Sequence, residues 1–182
     1  EVKERMTNHT HMLGKVLNVV LDSGYSKHYD GEQLKWLEKI SEEYKQYPKI
    51  AIYHNPLVMP CGDEDDRRST EIGAKIWRPV FDKYKYMTAF EHHTHYFKRS
   101  YAILLDGTKS EEGVLYLGSG AWGVKPDECE GKFDLFESVG TINHIWVATI
   151  NQEANTIRYE VIGKNGTINT PFTVDMKLFS SL

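Results

Sequence analysis

Apolar runs in the first half of the chain alternate with two longer, helix-like patterns. The β-branched and aliphatic runs at residues 16–21, 49–53 and 86–90 are typical of buried strands. Between them, apolar residues recur at steps of three and four over residues 31–47 and 70–84, which predicts two helices. The resulting order, β-α-β-α-β, is typical of a layered α/β sandwich.

The second half of the chain has the pattern of short strands separated by turns. The predicted strands are residues 101–105, 114–117, 143–150, 156–162 and 171–174. Turn sequences at 151–155 and 163–166 join the last of these as hairpins. The predicted fold class is therefore an α/β sandwich, β-α-β-α-β followed by an antiparallel β-meander. No linker divides the chain, so we predict a single domain over residues 1–182.

Composition and charge narrow the range of partners. Of the 182 residues, 40% are apolar and 26% charged, and the formal net charge is −4. Without a polybasic segment, no nucleic-acid partner is expected. No apolar run approaches the roughly 20 residues of a membrane helix, so no membrane partner is expected either. The chain begins at Glu1 without a signal-peptide pattern, and we expect either a removed leader or a start within a longer chain.

The two cysteines, Cys61 and Cys129, are too few for a structural zinc site, which usually has four ligands. They predict either one disulfide in an oxidising compartment or two free thiols. The sequons that begin at Asn8 and Asn165 are compatible with secretion. These features favour a secreted or lumenal location.

Two loop sequences suggest binding chemistry without specifying it. The loop predicted at residues 59–69 contains the acidic cluster Asp63-Glu64-Asp65-Asp66, which lacks the EF-hand spacing and is interpreted as a solvated loop. The sequence Gly118-Ser119-Gly120 follows a predicted strand, and it fits either a close approach to an anion or a tight turn. No Walker-type Gly-Lys-Ser/Thr follows it, and the nucleophile-elbow spacing is absent.

Histidines follow two of the predicted strands. His54 comes directly after the strand at 49–53, and His92, His93 and His95 follow the next strand. If these strands are parallel, both groups emerge at the carboxyl edge of the sheet, where open α/β sheets bind ligands. In an extended loop His93 and His95 would point to the same side. Converging imidazoles there could bind one metal ion or two adjacent ions, and hydrogen-bonded turn residues are the alternative.

Six segments in chain order carry a family pattern. They are a strand ending in Leu-Asp-Ser (20–24), a Q-x-x-W-L helix start (32–38), an isolated histidine after a strand (52–56), a helix (77–84), a variant of G-H-x-H-x-x-x-R (92–99) and a glycine-rich strand end (113–120). Together they resemble the C-terminal half of a metallophosphoesterase, in the calcineurin-like and purple-acid-phosphatase-like superfamily. The resemblance implies hydrolysis of a phosphate ester by a metal-bound hydroxide in a two-metal site.

The resemblance also assigns residues. By it, His54 and His93 would bind one metal ion, His95 would bind the other, and Arg99 would support the loop or the substrate. The cofactors would be two divalent or trivalent ions, and iron, zinc and manganese all suit imidazole nitrogen. No catalytic acid or base is identified in this chain.

Departures from the family pattern limit what the resemblance implies. The family motifs D-x-H, G-D-x-x-D and G-N-H-D/E, which lie upstream in the family, do not precede the matched segments here, so we expect an N-terminal segment of the same protein to complete the site. His92 occupies the position of the family glycine, and Glu91 that of a small residue. A histidine adopts the backbone conformation of that glycine at a cost, so we expect a distorted loop. The alternative function is a catalytically inactive subunit with a structural or binding role.

Overall fold

The computed structural model describes residues 7–24, 28–167 and 171–180, and its framework is a seven-stranded sheet. In chain order the strands are β1 (His9–Leu13), β2 (Val16–Val20), β3 (Lys49–Tyr53), β4 (Tyr86–Glu91), β5 (Phe97–Ile103), β6 (Val114–Ser119) and β7 (Phe136–Gly140). Their spatial order is β1-β2-β3-β4-β6-β5-β7. Neighbouring strands among β2, β3, β4 and β6 pair in parallel, whereas β1, β5 and β7 pair antiparallel with their neighbours.

Two helices, α1 (Gly31–Glu43) and α2 (Glu64–Lys83), cover one face of this sheet. Their buried residues, among them Leu37, Trp77 and Phe81, pack against alternate residues of the parallel strands. This packing is the period-two alternation expected of a strand that meets a helix layer on one side. None of the described helices is both long and apolar enough to cross a membrane.

A second sheet covers the opposite face. It contains β8 (His144–Asn151), β9 (Thr156–Gly163), β10 (Gly166–Thr167) and β11 (Phe172–Asp175), and a 3₁₀ helix (Met176–Phe179) follows it. Strand β9 pairs antiparallel with each of the other three. Tyr159 and Met176 pack with Ile50 and Met87 of the first sheet in a shared apolar core. The layers are thus helix, sheet and sheet, which confirms the predicted α/β sandwich ending in an antiparallel meander.

The acidic cluster corrects one prediction. Helix α2 begins at Glu64 rather than at residue 70, and Asp63 is its N-cap, with a side chain that accepts a hydrogen bond from the Asp66 backbone N–H at 2.9 Å. The interpretation of this cluster as a solvated loop is therefore wrong. Its carboxylates lie where the positive end of the helix dipole stabilises negative charge. Helix α1 is shorter than predicted and ends at Glu43.

The strand boundaries differ most from the predicted ones near the histidines. Strand β5 begins at Phe97 rather than at residue 101, so the histidine loop between β4 and β5 is short. Strands β1, β7 and β10 were not predicted from the sequence. The other strands lie within a few residues of their predicted positions.

The cysteines form one disulfide. Cys61, in the segment before α2, is bonded to Cys129, in the segment after β6, across a sequence separation of 68 residues. Of the two alternatives left open by the sequence, the structure has the disulfide rather than free thiols.

Candidate metal centre

The carboxyl ends of the parallel strands bring the histidines to one edge of the sheet. His54 follows β3, and the loop with His92, His93 and His95 follows β4, its parallel neighbour. The backbone N–H of His92 donates to the carbonyl of His54 at 2.9 Å, which extends the strand pairing by one step. The expected convergence of the two groups at this edge is confirmed.

His54 and His93 are in direct contact. Nε2 of His54 lies 3.1 Å from Nδ1 of His93. Because metal–imidazole distances are about 2.0–2.1 Å, nitrogens at this separation suit neighbouring positions around a single ion. Partial burial, followed by the charges of the neighbouring histidines, lowers the pKa of His54 below its usual value. The lowered pKa favours neutral imidazole, the form that binds metals.

Asp66, in the first turn of α2, orients His93. Its carboxylate Oδ1 accepts a hydrogen bond from His93 Nε2 at 2.9 Å. A carboxylate on one ring nitrogen fixes the tautomer and leaves the other nitrogen unprotonated, here the Nδ1 that faces His54. Sequence reasoning missed Asp66 as part of the site, although Asp63 before three acidic residues is a recognisable helix start.

Backbone strain falls on His93 rather than on His92. Among the non-glycine residues in the described part of the chain, His93 is one of three with positive φ, at 50°, and His92 is not among them. The expected distortion at His92 is thus wrong by one residue. A left-handed residue also breaks the extended geometry, so alternation does not place His93 and His95 on one side. Nδ1 of His92 is instead hydrogen-bonded to the carbonyl of Tyr53 at 2.8 Å.

His95 is held by Asp127. The His95 backbone N–H donates to Asp127 Oδ2 at 2.9 Å, and the Asp127 N–H donates back to the His95 carbonyl at 2.8 Å. Within residues 7–24, 28–167 and 171–180, no three His, Cys, Asp or Glu side chains group closely enough to hold one metal ion. The structure therefore joins His54 with His93 and does not add His95 to that pair.

Residues of the Leu-Asp-Ser and Q-x-x-W-L segments position His54. The hydroxyl of Ser23 accepts hydrogen bonds from the backbone N–H groups of His54, at 3.1 Å, and Asn55, at 2.7 Å. The amide of Gln33 bonds the backbone N–H and carbonyl of Asp22, at 2.9 and 2.8 Å. Helix α1 is thus hydrogen-bonded to the segment that follows β2, and that segment is hydrogen-bonded to the backbone at His54, directly after β3.

Arg99 lies between the two sheets. Its guanidinium forms an ion pair with Glu137 at 2.8 Å and stacks 3.6 Å from the ring centre of Phe172. It lines a cleft of about 520 Å³ between β5 and β11, and no histidine lines that cleft. A role for Arg99 in supporting the loop or the substrate stays a prediction.

No family model matches the sequence, and no curated protein matches it. Among solved structures, purple acid phosphatase PPD1 from yellow lupin (Lupinus luteus) seeds aligns with 96% of this chain at a TM-score of 0.81 and 15% identity. The fold is of the metallophosphoesterase type. This chain covers 34% of the lupin protein, about a third of its length. It also aligns over 93% of its length with GAP50, the anchor in the inner membrane complex of Plasmodium, covering 53% of that chain at a TM-score of 0.70 and 9% identity.

Proposed function

We propose that this protein is a metal-dependent phosphoesterase and that this chain supplies part of its two-metal site. The contact between His54 Nε2 and His93 Nδ1 carries the proposal, because it offers two nitrogens to one ion at the ligand-binding edge of this fold. His95 would bind the second ion. An N-terminal segment of the same protein would supply the remaining ligands.

The donor set of this edge fits iron, zinc or manganese. Metal ions bound there would polarise the phosphate ester and provide a nucleophile at neutral pH. The chain's own residues prepare the site: Asp66 holds the ring of His93, and Ser23 holds the backbone of His54. The expected substrate class is a phosphate ester.

Zinc titration of histidine variants tests the metal assignment. We expect His54→Ala and His93→Ala each to weaken zinc binding at least tenfold, because each removes one of two nitrogens that share an ion. The matched control is His11→Ala, which removes an exposed histidine on β1 and should leave affinity unchanged. Equal zinc affinity in wild type and in a His54→Ala/His93→Ala variant would refute the proposed centre.

Turnover tests whether the site is divided. With zinc or manganese added, we expect this chain alone to hydrolyse p-nitrophenyl phosphate poorly, because the family motifs that supply the bridging carboxylate do not precede its matched segments. Rapid turnover by this chain would contradict the divided site while leaving the histidine pair as metal ligands.

A second candidate function is a non-catalytic subunit with a structural role. The fold similarity to GAP50, an anchor protein, favours it, as does the absence of the G-D-x-x-D and G-N-H-D/E motifs before the matched segments. The sequence encoded before Glu1 discriminates between the two candidates. Both motifs there would support the enzyme, and degenerate versions would support the anchor.

The disulfide supports the proposed secreted or lumenal location, because disulfides persist in oxidising compartments. Of the two sequon asparagines, Asn165 lies exposed in the β9–β10 turn, whereas Asn8 is buried, with 2% of its surface exposed. If the protein enters a glycosylating compartment, we therefore expect Asn165 rather than Asn8 to be modified.

A further inference from the structure

A row of four residues crosses the sheet directly beneath the histidines. Tyr53 of β3 lies opposite Glu91 of β4, Glu91 lies opposite Gly118 of β6, and Gly118 lies opposite Lys98 of β5. Tyr53 directly precedes His54, and Glu91 directly precedes His92. The row is thus the last layer of the sheet before the histidine edge.

Glu91 and Lys98 form a fully buried ion pair within this row. Both side chains are 0% exposed, and Lys98 Nζ lies 2.5 Å from Glu91 Oε2. The pair spans the intervening strand β6, which is possible because residue 118 is glycine. A Cβ on Gly118 would meet the Lys98 stem, with Cε at 2.9 Å.

The pair also bonds the segment that carries His54. Oε1 of Glu91 accepts hydrogen bonds from the Tyr53 hydroxyl at 2.7 Å and from the Leu57 backbone N–H at 2.6 Å. Lys98 Nζ donates to the backbone carbonyl of Val58. Burial, followed by the charge of Glu91, raises the pKa of Tyr53 well above its usual value, so its hydroxyl remains a donor.

We propose that Glu91 and Lys98 are positioning residues, which hold His54 at metal-sharing distance from His93. Glu91 is continuous with the loop of His93, and it bonds residues on both sides of His54. The inference rests on the proposed function, since the property it sets is the separation of two metal-binding nitrogens.

A buried ion pair is by itself weak evidence of a purely stabilising role. Apolar side chains of similar size often replace a buried ion pair with no loss of stability. Such side chains could fill the same volume, but they could not bond the Tyr53 hydroxyl before His54 or the backbone of Leu57 and Val58 after it. A purely structural pair and a positioning pair therefore predict different behaviour for an apolar replacement.

The test is the double variant Glu91→Met/Lys98→Met, measured by urea unfolding and by zinc titration against a chromophoric chelator. We expect a folded protein whose unfolding midpoint is lowered, because the Leu57 N–H and the Val58 carbonyl lose their buried partners, and zinc affinity weaker by about 10- to 100-fold, the usual loss when groups that orient ligands are removed. The matched control is Tyr86→Phe, also on β4. It removes a buried hydrogen bond of 2.9 Å between the Tyr86 hydroxyl and Ser41 of α1, and it should leave zinc affinity unchanged. Wild-type zinc affinity in the folded double variant would overturn the inference.

A readout without metal separates this inference from the proposed function. The ring centres of His54 and His93 are 5.1 Å apart, so nuclear Overhauser effects should connect their ring protons in metal-free wild type. We expect the double variant to lose these effects, and their retention would overturn the inference whatever the zinc result. If wild type shows the effects but binds no zinc, the proposed function fails and the positioning role is judged on the spectra alone.

A milder variant covers the case in which the double variant does not fold. Tyr53→Phe removes one bond to Glu91 and leaves the charges paired. We expect a loss of a few-fold in zinc affinity, together with weaker effects between the two histidine rings. No change in either measurement would count against the positioning role.

Discussion

Removal of the disulfide should lower stability strongly. Cys61 and Cys129 are separated by 68 residues, and a cross-link that closes a loop of that length restricts the unfolded chain by an entropy worth about 4 kcal/mol. With a urea m-value of about 2 kcal/mol/M, the unfolding midpoint should fall by about 2 M. The perturbation is the variant Cys61→Ser/Cys129→Ser, or wild type treated with a thiol reductant.

The loss of stability should also affect the histidine loop, because residues at both ends of the disulfide are hydrogen-bonded to it. The hydroxyl of Tyr96, next to His95, donates to the Cys61 carbonyl at 2.8 Å. Asp127, two residues before Cys129, holds the backbone of His95. We therefore expect faster amide exchange at His95 when the disulfide is absent.

Urea unfolding followed by circular dichroism, at matched pH and salt, measures the effect. Reductant should shift wild type and leave the serine variant unchanged, which controls for side effects of the thiol. Equal midpoints in oxidised and reduced wild type would refute the reasoning, since no loop constraint would then be contributing.

Three further predictions concern other residues. Asp66→Asn should weaken zinc binding about 10-fold, because it loosens the ring of His93. Asp65→Asn, at the exposed neighbouring residue, should leave zinc binding unchanged; equal losses would indicate a general charge effect. Gly118→Ala should cost about 1–3 kcal/mol in urea unfolding, because its Cβ would meet the buried Lys98 stem. Gly140→Ala should cost little, because its Cβ would make only an ordinary contact with Phe97 at 4.0 Å; a tolerated Gly118→Ala would contradict the packing. Burial lowers the pKa of Lys49 from 10.5 to about 8. Between pH 8 and 10.5 the unfolded chain then binds more protons than the folded protein. The free energy of unfolding of wild type should therefore rise by about 3 kcal/mol over this pH range relative to that of Lys49→Met. Parallel pH profiles of unfolding for the two proteins would exclude this cause.

The strands of the parallel sheet were predictable because they are apolar on both faces. Strand β3 matched its predicted range, since Lys49–Tyr53 is a continuous apolar run after its first residue. Strand β5 was placed too late because Lys98 and Arg99 look like loop residues. Their burial depends on partners distant in sequence, Glu91 and Glu137, which no local pattern reveals.

Helix α2 began earlier than predicted for a related reason. Its first turn is acidic and mostly exposed, so the apolar periodicity starts later than the helix itself. Capping and the helix dipole stabilise that turn, and neither contributes to a periodicity count. The histidine edge was predictable from strand order, but the contact between His93 and Asp66 required the correct helix start.

The strand order also implies a sequence of events during folding. Strand β6 lies between β4 and β5, although those two are consecutive in the chain and run antiparallel to each other. Until residues 114–119 arrive, β5 has no native neighbour, because both of its partners follow it in sequence. Because contacts between residues close in sequence form early, a direct β4–β5 hairpin would compete with the native pairing. We expect the salt bridge across β6, and with it the histidine edge, to be among the last parts of this sheet to form.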